Sequence, residues 1–214
     1  MLPFLVMLLQ EELSMTFDMA LMHLMCAKIC HDLSAPASAV AMGLEMLCET
    51  PQDTSTLELV TYSSQSTIHK LELFRCLTGF SSTPSKPTGI DLEKALRNYW
   101  PDNKISITWK VPQLENIQGP PARLLLATLL TAADSLPRGG TLTIDPNLSI
   151  TAKGPTALLW EETVKALTGS SALSQQTVGT IVAFFAHTLA HSLGKKLTLQ
   201  TINESQFQVD IVEK

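Results

Sequence analysis

Cys30-His31-Asp32-Leu33-Ser34-Ala35-Pro36 sets a histidine beside an acid, with a proline five positions after the histidine, inside a long run of helical spacing. From about Thr16 to Cys48 the apolar residues Met22, Cys26, Ile29, Leu33, Ala37, Val40, Leu44 and Leu47 are separated by threes and fours, which draws one continuous stripe along a helix. So sustained a stripe is closer to the seam of a helical bundle than to the wide face of a globular helix. His31 precedes Leu33 by two positions, about 200° around the helix, so it is expected off the stripe and in solvent. Pro36 has no N–H to give the helical ladder, and a kink is expected just past the histidine.

Outward from this helix, Glu49-Thr50-Pro51-Gln52-Asp53 breaks the pattern, and Asp53 or Thr54 can cap a second helix. That helix is predicted through Leu57, Val60, Ser64, Ile68, Leu71 and Phe74 to about Thr78, with Gly79 as its stop. So short a connection makes the two helices antiparallel neighbours. One hairpin leaves its seam half open, and a second copy would close it as a four-helix bundle, so a homodimer is expected. The apolar start, Met1 to Leu9, is too short to span a bilayer, which takes ~20 residues. It is expected as an added helical turn or a lead-in strand, with a membrane-surface anchor the lesser alternative. Residues 1–80 thus read as a helical-hairpin domain.

Ser81-Ser82-Thr83-Pro84-Ser85-Lys86-Pro87-Thr88-Gly89 is polar and broken by prolines, and residues 81–90 read as a linker. Beyond it the period changes. After a short helix at Asp91–Trp100, Ile105, Ile107, Trp109 and Val111 alternate with polar residues as a half-buried strand. A strongly apolar helix is predicted from Arg123 to Leu136, stopped by Pro137-Arg138-Gly139-Gly140. Strands Thr141–Ile144 and Leu148–Ala152 flank an Asp145-Pro146-Asn147 turn, helices fit Thr156–Leu167 and Ser174–Leu193, and a hairpin of Leu197–Ile202 with Phe207–Val212 ends the chain. The fold class is therefore α+β, a helical hairpin followed by an α/β sandwich over residues 91–214.

With 45% hydrophobic and 16% charged residues the chain is expected to fill a core. A net charge of -5 with no basic stripe argues against a nucleic-acid partner. The four cysteines, Cys26, Cys30, Cys48 and Cys76, do not suggest a disulfide framework and are expected as reduced thiols packed as small apolar residues, which points to the cytoplasm. His23, Cys26 and Cys30 fall turn by turn, so a metal site can be drawn, but no second ligand cluster completes it. His187 and His191 are also four apart, yet Thr188 stands where a zinc protease needs Glu. His23 and His69 read as surface residues.

The run from Cys30 to Pro36 is similar to the phosphoacceptor box of histidine kinases: His, an acid, an aliphatic residue and, after two more, Pro. Ile29 to Leu47, the helix end Lys70-Leu71-Glu72-Leu73-Phe74-Arg75, and the helix and turn from Leu124 to Gly140 resemble more closely the ChpT-type histidine phosphotransferases of alphaproteobacteria. The likeness spans nearly the whole chain after about Thr16, strongest in the first helix and loosest in the last third. It implies a dimeric hairpin followed by a degenerate kinase ATP-binding fold, relaying phosphate between a hybrid kinase and response-regulator receiver domains. The chain departs from a true kinase where nucleotide would bind. The Asn expected in the helix Arg123–Leu136 falls on Thr131 or Ala132, the Asp-x-Gly-x-Gly segment is replaced by Ala152-Lys153-Gly154-Pro155-Thr156, and the glycine-rich lid is reduced to Gly179. Without a glycine cradle and a metal ligand the phosphates of ATP have no seat, so no ATP binding and no cofactor are expected, with Mg²⁺ only in the partner receiver.

Within that resemblance His31 is the expected phosphoacceptor, an imidazole held in solvent to accept and return a phosphoryl group. Asp32 can hold the other ring nitrogen and fix the tautomer. Lys28, one turn earlier, reads as a solvated lysine, although it could also favour phosphoryl oxygens. Ser34 is either near enough to contact those oxygens or a small residue that clears space, and Pro36 sets the bend. The competing reading is a non-catalytic, pseudokinase-like scaffold that docks the same partners without passing phosphate.

Overall fold

Asp53 turns the chain from one long helix into the next. The computed structural model describes residues 2–79, 86–100 and 104–214, with side chains from Met19 onward. The side chains of the apolar start and residues 81–85 of the linker therefore lie outside the described residues. Helix α1 runs Leu2–Glu49 and α2 runs Thr54–Thr78. The Asp53 carboxylate accepts the Ser55 and Thr56 N–H groups at 3.0 and 3.3 Å and both hydroxyls at 2.6 Å. These bonds favour its ionised form and hold it well below the ordinary carboxylate range, at about 2. Gly79, at φ 76, closes α2 by donating to the Arg75 carbonyl.

The fully buried positions of α1 are not those of the stripe that the spacing draws, of which Ile29, Leu33, Val40 and Leu47 are half-buried. On α1 the buried positions are Leu21, Met25, Pro36 and Gly43, a row about 100° around the helix from that stripe. On α2 they are Thr56, Ser63, Leu73, Phe74 and Leu77. Gly43 lets the helices close, since a Cβ there would overlap the Val60 side chain. The stripe itself is largely open: Met22, Leu44, Leu57, Ile68 and Leu71 are all exposed. The seam expected to stand half open in one hairpin is thus an apolar face beside the buried row of α1.

The rest of the chain builds a five-stranded sheet in the order β1-β2-β3-β5-β4. Its strands are β1 Ile105–Trp109, β2 Gly140–Ile144, β3 Ile150–Lys153, β4 Lys195–Asn203 and β5 Gln206–Glu213. The β1–β2 pair is parallel and crosses over through α4, Pro120–Asp134; the other pairs are antiparallel. Leu142, Ile144, Ile150, Ala152, Phe207 and Val209 alternate inward from the strands onto α4 and α6, Ile181–Ser192, and polar residues take the other face. Helix α3, Gly89–Tyr99, starts from a capping box between Thr88 and Asp91.

Two predicted helices are shorter than expected. Only Glu161–Thr168, α5, is helical in the segment predicted from Thr156. Ala157 and Leu158 instead donate their N–H groups to Glu204 and Ser135 carbonyls at 3.1 and 2.8 Å, which holds that stretch against its neighbours. Likewise α6 begins at Ile181 rather than Ser174. The buried Gln176 side chain donates to Ser171 Oγ and the Ala172 carbonyl, and the Thr177 N–H donates to Thr180 Oγ1, so side chains take over the backbone's helical bonds.

The hairpin and the α/β half share one core. Leu73, Phe74 and Leu77 of α2 meet Leu92 and Leu96 of α3. Arg123 of α4 donates Nε to the Leu77 carbonyl at 2.9 Å, and its guanidinium lies 5.5 Å from the Phe185 ring centre. The base of the hairpin, where His31 stands, is in this way held against the sheet layer.

Candidate functional site

His31 projects from α1 with 72% of its side chain exposed, while its neighbour Asp32 is only 12% exposed. His31 Nδ1 lies 3.0 Å from Asp32 Oδ1. An ionised carboxylate only accepts, so this contact puts the ring proton on Nδ1 and leaves the Nε2 lone pair facing solvent. Lys28 is not the solvated lysine of the sequence reading. Its ammonium pairs with the same carboxylate, 2.8 Å from Oδ2 and 3.1 Å from Oδ1, and its side chain is 19% exposed. One carboxylate therefore balances a largely covered cation and orients an exposed imidazole.

Ser34 spends its hydroxyl proton on the Cys30 carbonyl at 2.6 Å, one turn back along its own helix. What remains on that oxygen accepts, and phosphoryl oxygens need donors, so the small-residue reading of Ser34 is favoured over a phosphoryl contact. Pro36 is buried between the helices.

The spacing of residues gave no sign of three further side chains beside this pair. Lys70 of α2 donates to the Asp32 backbone carbonyl at 2.8 Å. Tyr99, at the end of α3, has its phenol pushed up to about 12 by burial, with Asp134 and Asp32 adding to the rise. Asp134, at the end of α4, is exposed, but loss of hydration against the surrounding protein raises its pKa, Lys28 and Lys104 oppose the rise, and Asp32 adds to it. All three arrive from elements distant in sequence, so only the tertiary fold brings them to the pair.

The other candidate ligands do not assemble. Among the described residues no group of three or more His, Cys, Asp or Glu side chains could hold a metal ion. Cys26, Cys30 and Cys48 are exposed and Cys76 is half-buried, all as free thiols. The packed thiols expected on α1 are instead on its open sides, because the buried row lies elsewhere on the helix. His187 and His191 have ring centres 6.3 Å apart, but His191 Nε2 is already within 2.7 Å of Lys214 Nζ. Thr131, one of the two positions expected to stand in for a kinase's Asn, donates its hydroxyl to the Ala127 carbonyl at 2.9 Å. The adjoining cleft of about 510 Å³ includes Thr131, Asp134, Trp160 and Glu162 in its lining and, among the described residues, neither Lys nor Arg. Among the described residues no helix is long and apolar enough to cross a membrane.

Comparison with known proteins places the chain in a family. Residues 90–205 match the family described as the histidine phosphotransferase C-terminal domain. The protein phosphotransferase ChpT of Brucella abortus (strain 2308) is 25% identical over 190 residues, 85% of this chain and 90% of that protein. The 1.7 Å structure of a bacterial phosphotransferase superposes with a TM-score of 0.73 at 24% identity, over 89% of this chain and 95% of the other. The Acinetobacter baumannii histidine kinase AdeS aligns over 86% of this chain and 98% of its own, with a TM-score of 0.45 at 13% identity. With more than half of its length matched by the family, this chain belongs to the histidine phosphotransferases.

Proposed function

We propose that His31 is the phosphoacceptor through which this histidine phosphotransferase relays phosphate between response-regulator receiver domains, without using ATP. The observation that carries the reading is the His31 Nδ1 to Asp32 Oδ1 contact of 3.0 Å beneath an exposed ring. Nε2 attacks the phosphorus of a receiver's phosphoaspartate in line, the new P–N bond forms as the aspartyl P–O bond breaks, and the receiver's carboxylate leaves. Asp32 keeps the Nδ1 proton and offsets the positive charge that develops on the ring. Reversal delivers the phosphoryl group to a second receiver. Mg²⁺ and the cationic clamp on the phosphoryl oxygens belong to the receiver, so this chain has to supply little beyond a positioned nucleophile.

The partner side of the reading also rests on α1. His31, Ala35, Ser38 and Met42 follow one another at spacings of four, three and four on one face, and all four are exposed. A hybrid kinase is the upstream donor in this reading. The exposed stripe containing Met22, Leu44, Leu57 and Ile68 supports a homodimer with a four-helix bundle. Residues 1–80 act as the dimerisation and phosphotransfer domain and 91–214 as a degenerate kinase-like domain, in the cytoplasm, with the linker expected over 81–90 giving way to α3 already at Gly89. Incubation with a phosphorylated receiver tests the assignment: the wild-type chain takes up acid-labile label and His31→Ala takes up none.

A further inference from the structure

Pro36 opens a gap in the hydrogen-bond ladder of α1 at one defined atom. In an α-helix the carbonyl of each residue accepts the N–H four positions later, and four positions after Asp32 stands Pro36, which has no N–H. The proline ring also crowds that carbonyl and turns it outward. The Asp32 carbonyl is thus left without its helical donor beside the buried Pro36, where an unmet acceptor is costly. The missing donor comes from the other helix. Lys70 Nζ, on α2, reaches the Asp32 oxygen at 2.8 Å across a sequence separation of 38.

That bond is charge-assisted and so stronger than the amide bond it replaces. Asp32 is consequently held at both ends, its carboxylate by Lys28 and its carbonyl by Lys70. The peptide group so anchored is next to the one that joins His31 to Asp32. Lys70 lines a small recess with Tyr62, Ser66, Asn98 and Tyr99, where α2 meets α3.

We propose that Lys70 is a positioning residue for phosphoryl transfer, which substitutes for the absent Pro36 N–H and fixes the turn that carries His31 and Asp32. The proposal rests on the assignment of His31 as phosphoacceptor. Without the Lys70 ammonium the carbonyl turns toward water, the turn loosens, and the Nδ1 to Oδ1 contact loses its set geometry. The loss falls on the maximal rate of transfer rather than on receiver affinity, because Lys70 acts through Asp32 and not on the partner.

A double-mutant cycle with Pro36→Ala tests this, since alanine restores the N–H that Lys70 replaces. Lys70→Met is expected to lower the maximal single-turnover transfer rate about tenfold, with the half-saturating receiver concentration unchanged. Lys70→Arg, which keeps a cationic donor, recovers most of the rate. In the Pro36→Ala background the cost of Lys70→Met shrinks to within about twofold. Thermal midpoints read the same cycle where Pro36→Ala itself slows transfer, and there too Lys70→Met costs less beside alanine. If Lys70→Met does not fold, restoration of the fold by Pro36→Ala supports the proposal and failure to restore it overturns it. Additive effects, or a Lys70→Met protein that transfers at the wild-type rate, also overturn it. Wild-type protein that takes no label overturns the phosphoacceptor assignment and this role with it, whereas labelled wild type with additive variants overturns this role alone.

Discussion

His31 and Asp32 are adjacent in sequence and opposite in exposure: the imidazole stands out in solvent, and the carboxylate 3.0 Å from its Nδ1 is largely covered and paired with Lys28. The arrangement separates two duties that compete when one group performs both. The exposed ring can meet a large partner, and the covered acid can hold charge without screening by water.

Asp32→Asn keeps the shape and removes the charge that offsets the developing imidazolium. The expected outcome is a loss of about tenfold to hundredfold in single-turnover transfer with the receiver still bound, measured by rapid-quench labelling. Because Lys28 is then left covered and unpaired, the thermal midpoint falls as well.

The open stripe predicts the effect of charge on assembly. Leu44 and Ile68 are each 52% exposed in the single chain, on the unpaired face of α1 and α2. Leu44→Glu with Ile68→Glu is expected to give a monomer of unchanged helix content by light scattering and circular dichroism. A dimer that survives both changes would place its interface elsewhere.

Acid sensitivity follows from the cap of α2. The Asp53 carboxyl is lowered to about 2 by its bonds to Ser55 and Thr56, so the folded state favours the ionised form. Its contribution is fully present above the unfolded value near pH 4 and is lost as the pH falls through about 2. Asp53→Ala is expected to lower the thermal midpoint at neutral pH and to flatten its decline between about pH 4 and pH 2.

Nucleotide binding is predicted to be absent. A triphosphate entering the cleft beside α4 would meet Asp134 and Glu162 and no cation among the lining residues. Titration calorimetry with Mg²⁺-ATP should give no heat of binding, and a saturable, Mg²⁺-dependent isotherm would contradict the reading.

Much of the hairpin was legible because its signals are local. Threes and fours along α1, Asp53 before α2 and Gly79 after it are decided by residues within a turn or two of one another. The choice of packing face was not local. Two rows run along α1, one apolar and one made of Leu21, Met25, Pro36 and Gly43, and only the shape of α2, with Val60 pressed against Gly43, selects the second. The starts of α5 and α6 were hidden for a related reason. Glu204 and Ser135, which capture the backbone of Ala157 and Leu158, lie far along the chain, and the turn held by Gln176 competes with helix at no visible cost in periodicity. At the site, His31, Asp32 and Pro36 could be read together because they share one helix. Lys70 and Tyr99 could not, since nothing in their own segments refers to α1.

The most direct test is to identify the atom that carries the phosphate. After a single turnover with a phosphorylated receiver domain, the protein is trapped and its phosphohistidine located by mass spectrometry and by ³¹P and ¹⁵N resonance. Assignment of His31 as the phosphoacceptor requires phosphate on Nε2 of His31, stable in base and lost in acid, and none in His31→Ala. Phosphate on another residue, or label that persists in His31→Ala, would contradict it.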